Sequence, residues 1–320
     1  MTADRFPRTA FFGTPEFAAA SLDALLDAGV DVPLVVTQPD RPVGRHAELR
    51  PSAVGALAAS RNIPTEKPET LKGNADLVAR LREARPDAIA VVAYGRILPP
   101  EILGLPRLGC VNVHASLLPR WRGASPIQAA ILAGDAETGV VTMRMEEGLD
   151  TGPVYLERRV AIGEHETAGE LSGRLQLLGG KLLVETLEGL AAGRLSPRPQ
   201  SGALTGTATV CRPIRREDAL VDWERPAAEI LRRLRAFTPW PGLFTFLEGE
   251  RVKILEAEES RERLAAPPGS FDLESGELVA GAGTGTAVRI RRLQRAGRKP
   301  VSGAEFARAA RLPGRFGAPR

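Results

Sequence analysis

Cysteine is scarce in this chain of 320 residues: Cys110 and Cys211 are the only two, far apart, and no Cys-x-x-Cys occurs. A disulfide framework is excluded, and the expected setting is a reducing cytoplasm with two structural thiols. Histidine is almost as rare, at three, so no His/Cys cluster with metal-ligand spacing is visible. No apolar run approaches the roughly 18 residues of a spanning helix, so no membrane segment is expected. The start, "MTADRFPRTAFFG", lacks the basic-then-apolar pattern of a signal peptide. Two catalytic signatures are also missing. The first apolar run leads into "FFGTPEF", with a single Gly where a dinucleotide site would show Gly-x-Gly-x-x-Gly. No Gly-x-Ser-x-Gly elbow occurs, which disfavours an enzyme-bound acyl intermediate.

What is present is ordinary globular composition, 43% hydrophobic and 26% charged, in a chain long enough for two domains. The first half alternates short apolar runs with helical patterns. "TAFFG" (9–13), "VPLVVTQ", "DAIAVVAYG", "GCVNVH" and "TGVVTMRM" read as buried strands. Helices are expected over 15–29, from about Ser52, from Asn74 to Ala84, near 124–134 and over 167–192. This alternation predicts an α/β, Rossmann-like, mostly parallel sheet with right-handed crossovers. Residues 39–52, "PDRPVGRHAELRPS", read as a polar loop too long for an ordinary connection, hence a functional-loop candidate.

Composition shifts at 191–208, which is rich in Gly, Pro and Ser and reads as a linker. Beyond it, one helix (about 226–236) and short strands with Gly turns predict a small OB-like β-barrel. The expected division is a catalytic domain over 1–190, the linker, and a second domain over 209–320. Charge is divided too. Residues 1–200 hold 22 Lys/Arg and 24 Asp/Glu, hence −2, and residues 201–320 hold 21 and 15, hence +6. A basic second half suits a polyanionic partner.

The chemistry concentrates in "GCVNVHASLLPRWRGASP", residues 109–126. Side chains two apart on a strand share a face, so Asn112 and His114 project together while Val111 and Val113 point away. Ligands of open parallel sheets bind beyond the carboxyl ends of the strands. Asp150, in "EEGLDTGPV", follows the strand at 139–145 and is a second candidate for that rim. An Asn amide can donate to a developing oxyanion, a His can move a proton, and a carboxylate can orient it. The same residues also have plain structural readings: a satisfied core histidine, a turn aspartate, and packing for Arg120, Trp121 and Arg122.

The segment "NVHASLLPRWRGASPIQAAI", with "GLDTG" downstream, resembles the folate-dependent formyltransferase family. "FFGTPEFAAASLDALL", "VVTQPDRPVGR", "VVAYGRILP", "GDAETGV" and "RAFTPWPG" extend the likeness along nearly the whole chain, to the tRNA-directed members. The resemblance implies that the formyl group of 10-formyltetrahydrofolate passes to the α-amine of methionine on initiator tRNA. It implies that Asn112 stabilises the oxyanion, that His114 shuttles protons and bonds the formyl oxygen, and that Asp150 holds His114 and a water. Ser116, Leu117, Leu118 and Pro119 match the folate-contacting segment. The 39–52 loop is expected to meet the acceptor stem. The family's Gly-Lys-Lys-type run is replaced after Gly44-Arg45 by His46-Ala47-Glu48, leaving Arg41, Arg45 and Arg50 as compensating cations. Arg41 and Arg45 are therefore expected to test the stem end, and Arg289, Arg291, Arg292, Arg298 and Lys299 to grip phosphates. The expected protein is a monomer without metal. The rival readings are a formyltransferase acting on a small amine, such as a nucleotide sugar or a glycinamide ribonucleotide, of which a single-domain form would lack residues 209–320, and a non-catalytic tRNA-binding protein on a decayed enzyme fold.

Overall fold

The computed structural model describes residues 5–43, 48–200, 207–260, 267–310 and 312–317. The chain forms two compact units. The first comprises Met1–Pro126, Glu137–Ala161 and Ser172–Arg212, and the second Ile127–Ala136, Ile162–Leu171 and Pro213–Arg320.

In chain order the elements are β1 (Thr9–Gly13), α1 (Glu16–Asp27), β2 (Val35–Val36), β3 (Arg41–Val43), β4 (Glu48–Arg50), α2 (Ala53–Ser60), β5 (Thr65–Glu66), α3 (Ala75–Ala84) and β6 (Ala88–Val92). They continue as α4 (Pro100–Leu103), β7 (Cys110–His114), β8 (Arg122–Gly123), α5 (Pro126–Ala133), β9 (Glu137–Arg144), β10 (Val154–Ala161), α6 (Ala168–Ala191) and β11 (Val210–Cys211). The helix starts are chemical. Ser52 accepts from the Gly55 amide at 2.9 Å, and Asn74 from the Leu77 amide at 2.9 Å, each satisfying a donor that a helix start leaves open.

The main sheet has the order β10-β9-β7-β6-β1-β2-β5. Strands β5, β2, β1, β6 and β7 are mutually parallel. One face buries Ala10, Phe12, Ile89, Val91 and Cys110 under Leu77 and Leu81 of α3 and Ile102 of α4. Asn112 and His114 continue the Cys110 face of β7 by the two-residue period, so the apolar floor turns polar at the carboxyl rim. On the other face α6 comes close. A Cβ on Gly179 would stand 2.9 Å from Val113 Cγ1, so only glycine lets the helix lie this near the strand. Thr142 and Thr186 join β9 to α6 by a hydrogen bond of 2.7 Å.

Three expectations change. Strand β9 runs antiparallel to β7, with Val111 opposite Arg144 and His114 opposite Val141. Its carboxyl end therefore lies at the far end of β7 from His114, and Asp150 does not reach the rim by simply following a parallel strand. Residues 39–52 are not one loop: β3 and β4 pair as an antiparallel ribbon, Arg41 opposite Arg50. Arg45 lies outside the described residues. Finally, part of the Gly/Pro/Ser-rich stretch is built into the first unit: Gln200 is buried and Arg198 pairs with Val154, and just beyond the stretch β11 pairs with β8.

The second unit holds α7 (Ala227–Ala236), β12 (Phe244–Leu247), β13 (Glu250–Glu259), β14 (Ser270–Glu274), β15 (Glu277–Gly281), β16 (Ala287–Arg295), β17 (Val301–Ser302), α8 (Gly303–Ala309) and β18 (Gly314–Arg315). Its sheet runs β12-β13-β16-β15-β14-β18, with β17 beside β16. Phe246 and Gly317 exchange backbone hydrogen bonds of 3.1 and 3.0 Å, drawing the first strand to the segment beyond the last and nearly closing a barrel. Inside, Phe316 stacks on Trp223 and on Phe271, with Phe306 tilted against it. On β16, Val288 and Ile290 are buried and Arg289 and Arg291 face outward, as the alternation requires.

Candidate active site

His114 is 6% exposed at the end of β7. Its Nε2 lies 2.9 Å from the backbone carbonyl of Trp121. A carbonyl only accepts, so the network assigns the Nε2 position a proton. The other ring nitrogen, Nδ1, faces Asp150 Oδ2 at 3.6 Å. Nδ1 is thus the position free to take or give a proton, and it does so beside a carboxylate.

Both flanking groups are built with care. Trp121 has φ 60° and Asp150 φ 50°, left-handed values that non-glycine residues rarely adopt and that cost of order 1–3 kcal/mol each. Such residues persist only where their surroundings over-determine them. The Trp121 amide donates to Thr209 Oγ1 at 2.9 Å, while its carbonyl also receives Ser116 Oγ (3.5 Å) and Cys211 Sγ (3.6 Å). Gly123 donates its amide to Asp150 Oδ2 at 2.8 Å. That glycine has φ 110°, and a Cβ there would collide with the Cys211 carbonyl across the β8–β11 pair. Asn112, half-buried on the same face as His114, has no hydrogen-bond partner for its amide among the described residues. Its amide is available to a reacting oxygen.

The segment after β7 behaves differently from a row of side-chain contacts. Ser116 is fully buried and donates to the Arg120 carbonyl at 2.6 Å, closing a turn. Leu118 is fully buried against Val141, Met143 and Val154, and Pro119 is buried too. Leu117 packs above Gly139. The side chains of Ser116, Leu118 and Pro119 are thus buried, while that of Leu117 is half-buried. Sequence reasoning missed Trp121 as a carbonyl acceptor, and it missed Thr209 and Gln200, because none of these roles leaves a local pattern.

Neither thiol is poised for chemistry. Burial pushes Cys110 up to about 12, and burial first, with the Asp150 charge also contributing, raises Cys211. Among the described residues no group of His, Cys, Asp or Glu could hold a metal ion, and no helix is long and apolar enough to cross a membrane.

The expected phosphate-gripping residues fall into two kinds. Arg289 lies 2.8 Å from Glu277 and 3.5 Å from Glu258, Arg291 pairs with the same two glutamates, and Arg292 lies 2.5 Å from Glu256. Arg298 and Lys299 are exposed and have no ion pair among the described residues. Arg41 is exposed on β3 and donates to Gln38 Oε1 at 2.9 Å.

A mostly parallel sheet carrying Asn, His and Asp at one rim, followed by a small barrel, defines a group-transferring α/β enzyme with an appended domain. Residues 7–187 match the family described as Formyl transferase, and residues 213–311 match Formyl transferase, C-terminal domain. Methionyl-tRNA formyltransferase of Pseudomonas putida strain GB-1 is 48% identical over 295 residues, 92% of this chain and 93% of that protein. The enzyme of the same name from Anaeromyxobacter dehalogenans is 48% identical over 308 residues, 95% of this chain and 97% of its own. Among solved structures, HypX from Aquifex aeolicus in complex with tetrahydrofolic acid shares the fold at TM-score 0.60 and 19% identity, over 94% of this chain and 47% of that one. The chain belongs to the methionyl-tRNA formyltransferase family.

Proposed function

We propose that the chain transfers the formyl group of 10-formyltetrahydrofolate to the α-amino group of methionine on initiator methionyl-tRNA, as a cytoplasmic monomer serving translation initiation. The observation that carries the mechanism is the setting of His114, with its Nε2 proton committed to the Trp121 carbonyl and Nδ1 turned to Asp150. The amine attacks the formyl carbon, and a tetrahedral oxyanion forms. The bond to N10 then breaks, the amine loses a proton and N10 gains one. Asn112 donates to the oxyanion, His114 moves the proton through Nδ1, and Asp150 stabilises the imidazolium. Neither cysteine is an activated nucleophile, which supports direct transfer.

The folate-contacting role of residues 116–119 is a backbone role, since Ser116 and Leu118 are fully buried. For tRNA, the β3–β4 ribbon carries Arg41, Arg45 follows it in sequence, and the barrel supplies Arg298 and Lys299 as open cations, with Arg289, Arg291 and Arg292 shared between glutamates and phosphate. The 48% identity to enzymes named methionyl-tRNA formyltransferase supports tRNA over a small amine as acceptor. The deciding experiment measures tetrahydrofolate release with and without methionylated initiator tRNA. Release that depends on the charged tRNA is expected. Release with a small amine alone, or none with either, overturns the reading.

A further inference from the structure

Gln200 lies in the stretch whose composition suggested a linker, yet it is 6% exposed. Its Nε2 donates to the Asp150 carbonyl at 2.8 Å and to the Gly152 carbonyl at 2.7 Å. Its Oε1 accepts from Arg122 Nε at 3.0 Å and Arg122 Nη2 at 2.6 Å. Carbonyls only accept and a guanidinium only donates, so the amide has one orientation, and all four of its bonding positions are filled. The two segments it joins are those that hold the acceptors of His114. Arg122 lies between Trp121, whose carbonyl takes the Nε2 proton, and Gly123, whose amide holds the Asp150 carboxylate.

We infer that Gln200, braced by Arg122, is a positioning residue that sets the Asp150 carboxylate against His114 Nδ1. The left-handed backbone of Asp150 requires such a clamp, because a strained residue relaxes when its restraints are removed. Gly123 fixes the carboxylate end and Gln200 fixes the peptide end. With only one of them, the carboxylate can pivot away from the ring. The inference rests on the proposed role of Asp150.

Three variants test it: Gln200→Leu, Gln200→Asn, which is one methylene shorter, and Arg122→Met with Gln200→Leu. Displacement of a positioned group by about 1 Å can cost on the order of 10²-fold, so kcat is expected to fall by roughly 10–100-fold in Gln200→Leu. The KM values for folate and for tRNA should stay within about twofold, a split that general loosening of the fold would not produce. The double variant should be no worse than Gln200→Leu alone, since Arg122 acts through the amide. Hydrogen exchange should quicken over residues 145–154 and not elsewhere. Gln200→Asn keeps the question open to test if the leucine variant does not fold. Wild-type kcat in a folded variant, a KM change at constant kcat, a double variant worse than Gln200→Leu alone, or unchanged exchange at 145–154 would each overturn the inference. If the wild-type protein forms no formylmethionyl-tRNA, the functional reading fails instead, and the exchange measurement still decides whether the clamp exists.

Discussion

Around His114, polar groups form a directed line. On β16, they form closed pairs. Gln200 donates to the Asp150 peptide, the Asp150 carboxylate faces Nδ1, and Nε2 gives its proton to Trp121, so every bond leaves one ring nitrogen uncommitted. Beside it the Asn112 amide is uncommitted as well. On the barrel, Arg289 and Arg291 share Glu258 and Glu277, Arg292 meets Glu256 and Arg295 meets Glu250. The first region is nearly dry and held by strained backbone; the second is open to water, where paired charges contribute little to stability. Richness in polar residues therefore does not mark a reactive site. What distinguishes this site is a ring nitrogen that faces a carboxylate while hydrogen bonds fix the groups on both sides of it.

The sharpest way to break the comparison is to remove the two uncommitted groups. One preorganised oxyanion donor is worth about 10²–10³ in rate. Asn112→Ala and His114→Ala should each lose at least that in turnover while folding normally. Near-wild-type turnover in either would remove it from the reactive line.

Asp150→Asn comes next. The Gly123 amide and His114 Nδ1 meet the same oxygen, Asp150 Oδ2, so the introduced amide oxygen would keep both places while the negative charge is lost. Without that charge, the imidazolium formed when Nδ1 takes a proton loses its stabilising anion. Turnover should fall by about 10²-fold, the low end of acid–base contributions, with folate affinity little changed. Lost folate binding at full turnover would instead make Asp150 a co-substrate contact.

How much of this was legible in the sequence follows from the range of each interaction. The Asn112–His114 face was readable because a strand repeats every two residues. Asp150 is singled out by its place after a strand and given its role by the resemblance, but the topological ground fails, because nothing in "TGVVTMRM" says that β9 runs antiparallel. Strand β10 carries Glu157, Arg158 and Arg159 in succession, as a sheet edge can, and so shows no apolar run. The ribbon of β3 and β4 was hidden by Pro42 and by charge. Gln200 was concealed by its Gly- and Pro-rich neighbours, since its partners are 50 and 78 residues away. Leu118 stands inside the matched motif, yet its side chain belongs to the core.

The smallest effect tests the other region. If the barrel glutamates hold the arginines of β16 in closed pairs, those arginines are only partly available to phosphate, and the glutamates limit indiscriminate RNA binding. Glu258→Gln with Glu277→Gln leaves Arg289 and Arg291 in place and removes both carboxylates they share. Each cation released to a phosphate steepens the log–log salt dependence of binding by about 0.7–0.9. Initiator and elongator tRNA should both bind more tightly at low salt, with a steeper slope, and the preference for the initiator should not improve. Arg298→Ala and Lys299→Ala should do the reverse, each flattening the slope by about 0.7–0.9, because neither cation has an acidic partner to leave among the described residues. Binding of both tRNAs across a salt series, read by filter retention or fluorescence, separates the cases. A double glutamine variant with an unchanged slope would mean that Arg289 and Arg291 serve the barrel alone, and that the basic excess seen in the sequence overstates the charge this face presents to RNA.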